Sequence, residues 1–127
     1  MQRRAAAILL AVLALGACAP VAMHPASLAR PQRNLPDRIL VAPASVASSA
    51  GVPRTLPPGT VLRHHGSIGE GEVWRPVNRV LTAEGWDAHE GWVVLSSHTW
   101  VGFYLPVERA FSPLSRPVAL TMEDHNP

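Results

Sequence analysis

Histidines are the residues of this chain whose chemistry could be metal binding. His64 and His65 are adjacent on a predicted strand, where successive side chains point to opposite faces, so they cannot readily bind one metal ion. His89 and His98 lie near opposite ends of another predicted strand. A zinc site needs three or four converging ligands, and no His-x-His, His-Glu-x-x-His or Cys-x-x-Cys spacing occurs. The sequence therefore predicts no metal site and no cofactor.

Residue types suited to hydrolysis are also present. Asp87 and His89 are two apart and share a face if the chain is extended there; with Ser96 or Ser97 they supply the types of a hydrolase triad. Four glutamates could supply a glycosidase carboxylate pair: Glu70, Glu72, Glu84 and Glu90. However, no Gly-x-Ser-x-Gly elbow is present, and a module of about 65 residues offers little cleft. We therefore predict that the protein is not an enzyme.

Aromatic residues are the stronger functional candidates. All the tryptophans, both phenylalanines and the single tyrosine lie between positions 74 and 111, so the folded core is expected there. Trp92, Trp100 and Tyr104 could form an exposed platform for a glycan or a partner peptide. Alternatively, these rings are the core of a small β fold, which is the interpretation that the sequence favours. An exposed strand edge is a further way to bind a peptide.

A β-hairpin is the clearest structural unit. Residues 90–95 and 99–105 are rich in β-branched and aromatic residues and flank a short polar loop, 96–98. A three-residue loop would place Leu95 opposite Thr99, whereas a two-residue turn would place Ser96 there. The sequence does not decide between these registers.

Both faces of this hairpin are largely apolar. Strict alternation places Val101 with Phe103 on one face and Trp100 with Tyr104 on the other. A half-exposed antiparallel strand would instead alternate with polar residues. The hairpin is therefore expected either at the centre of a sandwich or barrel, or with an aromatic face open to a partner.

The remaining elements complete a mainly β module over residues 59–122. We predict about five antiparallel strands, including 59–68 and 72–82, with Pro76 marking an edge or a bulge. A short helical turn is expected over 106–112, because proline suits a first helical position, and a last strand over 116–122. A polar tail, 123–127, is expected to follow.

Residues 18–58 are predicted to be a tether. Eight of the thirteen prolines lie between Pro20 and Pro58, with much alanine and serine and no aromatic residue. Such a segment buries little apolar surface and should be extended or disordered. The exception is the β-branched run 38–41, which could add an edge strand to the module.

The first residues have the pattern of a secretory signal peptide. Two arginines precede the unbroken apolar run 5–15, which is too short to span a membrane, and small residues follow. Residues 15–18 read Leu-Gly-Ala-Cys, which resembles the lipobox of bacterial lipoproteins. The resemblance implies cleavage of a signal peptide, 1–17, and lipid attachment to Cys18, the only cysteine. Ala19 in place of aspartate then implies the outer membrane, by the sorting rule of Gram-negative lipoproteins.

Charge limits the choice of partner. After residue 17 the chain has nine arginines, no lysine and nine acidic residues, so it is neutral overall with histidines uncharged. A balanced domain has no electrostatic footprint for nucleic acid. The expected partners are the membrane, through Cys18, and an envelope protein or glycan. The expected location is the cell envelope, on the periplasmic side.

Overall fold

The computed structural model describes residues 20–85 and 88–126, and within them the chain is all β, with no helix. The prediction of a mainly β, antiparallel fold is confirmed, but the strands exceed the five or so expected. They are β1 (His24–Pro25), β2 (Arg38–Leu40), β3 (Ala44–Ala47), β4 (Pro53–Leu56), β5 (Val61–Ile68), β6 (Gly71–Pro76), β7 (Thr82–Glu84), β8 (Ala88–Glu90), β9 (Trp92–Ser96), β10 (Thr99–Leu105), β11 (Ala110–Ala119) and β12 (Met122–Asp124).

Eight of these strands form one antiparallel sheet. Its order is β1-β11-β10-β9-β6-β5-β2-β12, so the aromatic hairpin β9–β10 lies inside the sheet rather than at an edge. Two further hairpins, β3–β4 and β7–β8, form separate two-stranded sheets. The central position explains why both faces of the hairpin are apolar, since each is covered.

The β9–β10 turn decides between the two registers predicted for this hairpin. Thr99 pairs with Ser96, so the turn contains only two residues, Ser97 and His98. Ser97 has a φ of 59°, the positive value that tight hairpin turns require at their first central residue. The two-residue alternative is therefore the correct one.

A β-bulge interrupts β10 immediately after Trp100. Trp100 pairs with Leu95 and Gly102 pairs with the adjacent Val94, so Val101 is an extra residue without a partner on β9. Strict alternation fails across the bulge, so the side chains on its two sides lie on faces opposite to those that alternation predicts for them. Trp100 therefore packs with Phe103 in one core, and the predicted pairing of Trp100 with Tyr104 on a shared face is wrong.

The bulge also satisfies the buried indole of Trp100. Its Nε1 donates a hydrogen bond of 3.0 Å to the backbone carbonyl of Gly102, on the far side of the bulge. Gly102 has no room for a side chain, because an added Cβ would lie 2.5 Å from the Phe111 ring. The ring and the glycine thus fix the bulge at this position.

Two apolar cores cover the two faces of the sheet. The larger core contains buried residues from the main sheet and from both hairpins: Val21, Leu40, Ala44, Val46, Leu56, Leu62, Trp74, Leu81, Ala83, Val93, Leu95, Trp100, Phe103, Leu105, Ala110, Leu114 and Leu120. The smaller core contains Ile68, Val73, Val94, Tyr104 and Phe111, with Ala26, Leu28, Trp92 and Val101 packed against it.

The prediction that residues 18–58 are a disordered tether is wrong for the part that the structure describes. β2 pairs with β12 on one side and β5 on the other, so it is not the edge strand that was expected. Leu56 of β4 is fully buried. Val21 is already part of the larger core. The proline-rich composition hid these short strands, in which Pro53 occupies a first position that tolerates it.

The ends of three other predicted elements also differ. The helical turn expected over 106–112 is a non-helical turn that leads into β11 at Ala110, and Arg109 adopts a φ of 54°. The strand predicted over 72–82 ends earlier in the structure, because Pro76 is the last residue of β6. The expected polar tail is partly wrong, because Glu123 and Asp124 belong to β12 and pair with β2.

Leu56→Ala tests whether the proline-rich segment belongs to the folded domain. Removal of this fully buried side chain should lower the free energy of unfolding by about 2–5 kcal/mol. Val41→Ala, at a position 43% exposed, is the control and should change it by less than about 0.5 kcal/mol. Urea unfolding of residues 19–127 measures both, and equal small effects would contradict the structure.

Candidate functional site

The predicted platform of three rings does not form. Trp100 has no exposed surface and belongs to the larger core, where it makes an edge contact with Phe103 at 5.6 Å between ring centroids. Tyr104 is only 4% exposed, and it lies in the smaller core. The alternative interpretation, in which the rings are core, is therefore correct for these two residues.

Trp92 is the only half-buried ring of the predicted three. It lies on the same side of the sheet as Tyr104, with 6.0 Å between the ring centroids, and packs on the edge of the smaller core. Its Nε1 donates a hydrogen bond of 3.0 Å to Oε2 of Glu90, two residues before it. This bond fixes the orientation of the indole at the surface.

Two basic side chains complete the surroundings of Trp92. The His65 ring lies 4.8 Å from it between centroids, and the Arg75 guanidinium carbon lies 5.7 Å from it. We call Trp92, Tyr104, His65, Arg75 and Glu90 the Trp92 cluster. A ring bordered by hydrogen-bonding and charged groups is chemically suited to a small polar ligand.

His65 is held in its neutral form. Burial lowers the pKa of its imidazole below the ordinary value, and the positive charges of Arg75 and Arg63 and the neighbouring His64 lower it further. Near neutral pH this ring is therefore an uncharged donor and acceptor within the Trp92 cluster.

His64 points to the other face of the sheet, as strand geometry predicts. Its side chain is 6% exposed, its Nε2 lies 2.7 Å from Oε1 of Glu72, and its ring packs on Trp74 at 5.0 Å. Its Nδ1 is buried without a hydrogen-bond partner. An open groove of about 730 Å³ lies beside His64, between Glu72 and the segment 29–35, and Arg30 and Arg33 are among its lining residues. This groove has no local signal in the sequence.

Three histidines each pair with one glutamate at 2.7 Å. The pairs are His24–Glu70, His64–Glu72 and His89–Glu108. Over residues 20–85 and 88–126, no group of three or more histidine, cysteine, aspartate or glutamate side chains is placed to hold a metal ion.

The other candidate acid and triad residues are also separated from one another. Glu84 forms an ion pair with Arg54, and Glu90 accepts the Trp92 hydrogen bond. Ser96 is at the opposite end of β9 from the Trp92 end, about 13 Å away at the rise of a strand. Asp87 lies outside the described residues, as does Cys18.

Comparisons with known proteins give no relative. No protein-family model matches the chain, and no curated protein or solved structure matches it. In the described part of the chain, no helix is long and apolar enough to span a bilayer.

His65→Gln tests the environment assigned to the Trp92 cluster. A neutral, half-buried imidazole resists protonation in the folded state, so it contributes stability above its ordinary pKa of 6.5 that is lost as the pH falls below that value. The glutamine variant should show a smaller fall in the free energy of unfolding between about pH 7.5 and 5.5. His98→Gln, in an exposed turn, is the control and should keep the wild-type slope. Identical slopes for all three proteins would refute the assignment.

Proposed function

We propose that the chain is a small lipoprotein of the bacterial cell envelope, anchored in the outer membrane by lipid on Cys18 and facing the periplasm. The observation that carries this proposal is the order of residues 1–18: a basic start, a short apolar run and Leu-Gly-Ala-Cys. Two or more acyl chains hold a protein firmly to a bilayer, whereas one does so only marginally.

A binding or structural role without catalysis is the second part of the proposal. The geometry supports it because each candidate acid is already engaged by neighbouring side chains. Glu70 and Glu72 each pair with a histidine, Glu84 pairs with Arg54 and accepts a hydrogen bond from Thr82, and Glu90 accepts one from Trp92. The partner we propose is another envelope component.

A glycan of the cell wall is the alternative partner. Trp92 favours it, because a half-buried indole bordered by Glu90 and Arg75 combines an apolar ring with hydrogen-bonding groups. Strand addition of a peptide is less favoured. The edge strands β1 and β12 have only two and three residues, so they offer few backbone groups to pair.

Cys18→Ser tests the anchor. The variant has no thiol to acylate, so it should be released from membranes or remain uncleaved, with at least a tenfold fall in the mature membrane-bound form. Ala19→Ser is the matched control and should still be cleaved and sediment with membranes. Fractionation of cells followed by immunoblotting measures both. Normal cleavage and sedimentation of the Cys18 variant would disprove the anchor.

Trp92→Ala tests the glycan alternative. If peptidoglycan binds at the Trp92 cluster, residues 19–127 should co-sediment with it, and the variant should lose at least tenfold in affinity, while Trp92→Phe keeps part of the ring and of the binding. Circular dichroism of both variants checks the fold. Failure of the wild-type module to sediment with peptidoglycan would exclude this alternative.

A further inference from the structure

The folded domain begins very close to the proposed lipid anchor. Val21 is 6% exposed within the larger core, and the backbone N–H of Ala22 donates a hydrogen bond of 3.0 Å to Ser49 Oγ. Only two residues, 19 and 20, separate Val21 from Cys18. Three fully extended residue steps span about 10 Å at most. The domain therefore cannot move farther from the cysteine without unfolding its first residues.

This distance is comparable with the thickness of the headgroup layer. The polar zone on each side of a bilayer is about 5–7 Å thick, from the difference between the whole membrane and its hydrocarbon core. The sulfur of a lipidated cysteine lies at the inner side of that zone, because its acyl chains are in the hydrocarbon. Most of the link from Cys18 is used in crossing the headgroups, which places Val21 at their outer limit.

The residues closest to this point are uncharged. The exposed and half-buried ones are Pro20, Ala22, Met23 and residues 49–52 of the β3–β4 turn, which the Ala22–Ser49 hydrogen bond joins; we call them the anchor-proximal surface. Met23 is 39% exposed there. An uncharged, small-residue surface can approach headgroups without the desolvation cost of a charged one.

We propose that the anchor-proximal surface rests on the phospholipid headgroups of the membrane that holds Cys18. This inference depends on the proposed lipid anchor and adds the orientation of the domain. The short link from Cys18 keeps this surface close to the headgroups, and its uncharged residues can contact them without the desolvation cost of a charge. The remaining surface, including the Trp92 cluster, is then available to partners only within the layer closest to the membrane.

Fluorescence quenching in vesicles tests this orientation. The lipidated chain with Ala50→Cys, labelled with a fluorophore, is reconstituted in phosphatidylethanolamine and phosphatidylglycerol vesicles that contain a headgroup spin-labelled lipid. Cys18 is the only native cysteine and its thiol is acylated, so each variant has one labelling site. Quenching at position 50 should be at least threefold that at the control, Ser97→Cys.

Ser97 is a suitable control because it lies away from the anchor-proximal surface. Ser49 Oγ is 3.5 Å from Ser112 Oγ, and Ser112 pairs with Phe103 of β10. The turn that contains Ser97 is beyond Thr99, four residue steps or about 13 Å along β10 from Phe103.

A spacer variant separates the short link from any other cause of contact. Insertion of twenty glycine and serine residues between Ala19 and Pro20 keeps the lipid but gives a link of about 25 Å root-mean-square length. Quenching at position 50 should then fall to the value at position 97. Full quenching in the spacer variant would overturn the short link as the cause of contact.

The outcomes also separate this inference from the anchor itself. If quenching is weak and equal at positions 50 and 97 in a protein that sediments with vesicles, the proposed orientation is wrong and the anchor is unaffected. A domain that contacts an envelope protein in place of lipid predicts the same weak quenching. A chain whose Cys18 thiol reacts with maleimide and that stays in the supernatant would instead overturn the proposed function.

Discussion

The β-bulge at Val101 is the constraint on which both faces of this domain depend. Because one extra residue enters β10 between Trp100 and Gly102, Trp100 joins Phe103 in the larger core, while Val101 packs on the same side as Tyr104. Without the bulge, a tryptophan would be forced onto the side that Phe111 and Tyr104 fill. The Trp100 indole is buried at little cost, because the carbonyl of Gly102 accepts its N–H. The same irregularity in the pairing of β10 with β11 frees the middle of β11 to approach β3, and Leu114 forms an isolated bridge with Ser48, the residue after that strand.

Much of the fold class could be predicted from the sequence, but its extent could not. β-branched and aromatic residues on both arms of the β9–β10 hairpin identify it directly, since that signal is local. Strict alternation of side chains between the two faces fails at Val101. Gly102 is the one residue in the sequence that indicates a bulge there. The prediction that residues 18–58 are a tether is wrong for a different reason. Its composition resembles a linker, yet Leu40, Val46 and Leu56 are spaced so that each reaches the core. The strands that hold them pair with residues far along the chain, and a window of composition carries no information on such pairing.

The candidate site shows the same division between local and distant information. The hydrogen bond from Trp92 to Glu90 joins residues two apart, and the opposite directions of His64 and His65 follow from strand geometry, so both are accessible to reasoning on the sequence. The pair of His24 with Glu70 joins residues 46 apart, and no local pattern indicates it. Burial lowers the pKa of His65 most, and Arg75, which only the β5–β6 register brings near, lowers it further. Residue types identify which side chains could react. The strand register decides which of these side chains lie in contact.

The early start of the fold changes what kind of partner the proposed lipoprotein could reach. A tether of about 40 residues would let a domain sample positions tens of ångströms from the bilayer, at an effective concentration set by the chain. With Val21 already in the core, that freedom is absent, and lipid attachment would fix both height and approximate orientation. Because the chain after residue 17 is neutral, electrostatic attraction to anionic lipids would add little, and the acyl chains alone would hold the protein. A partner would therefore have to lie at or in the membrane surface, or extend to it, which favours components that are themselves anchored there over those dispersed in the periplasm.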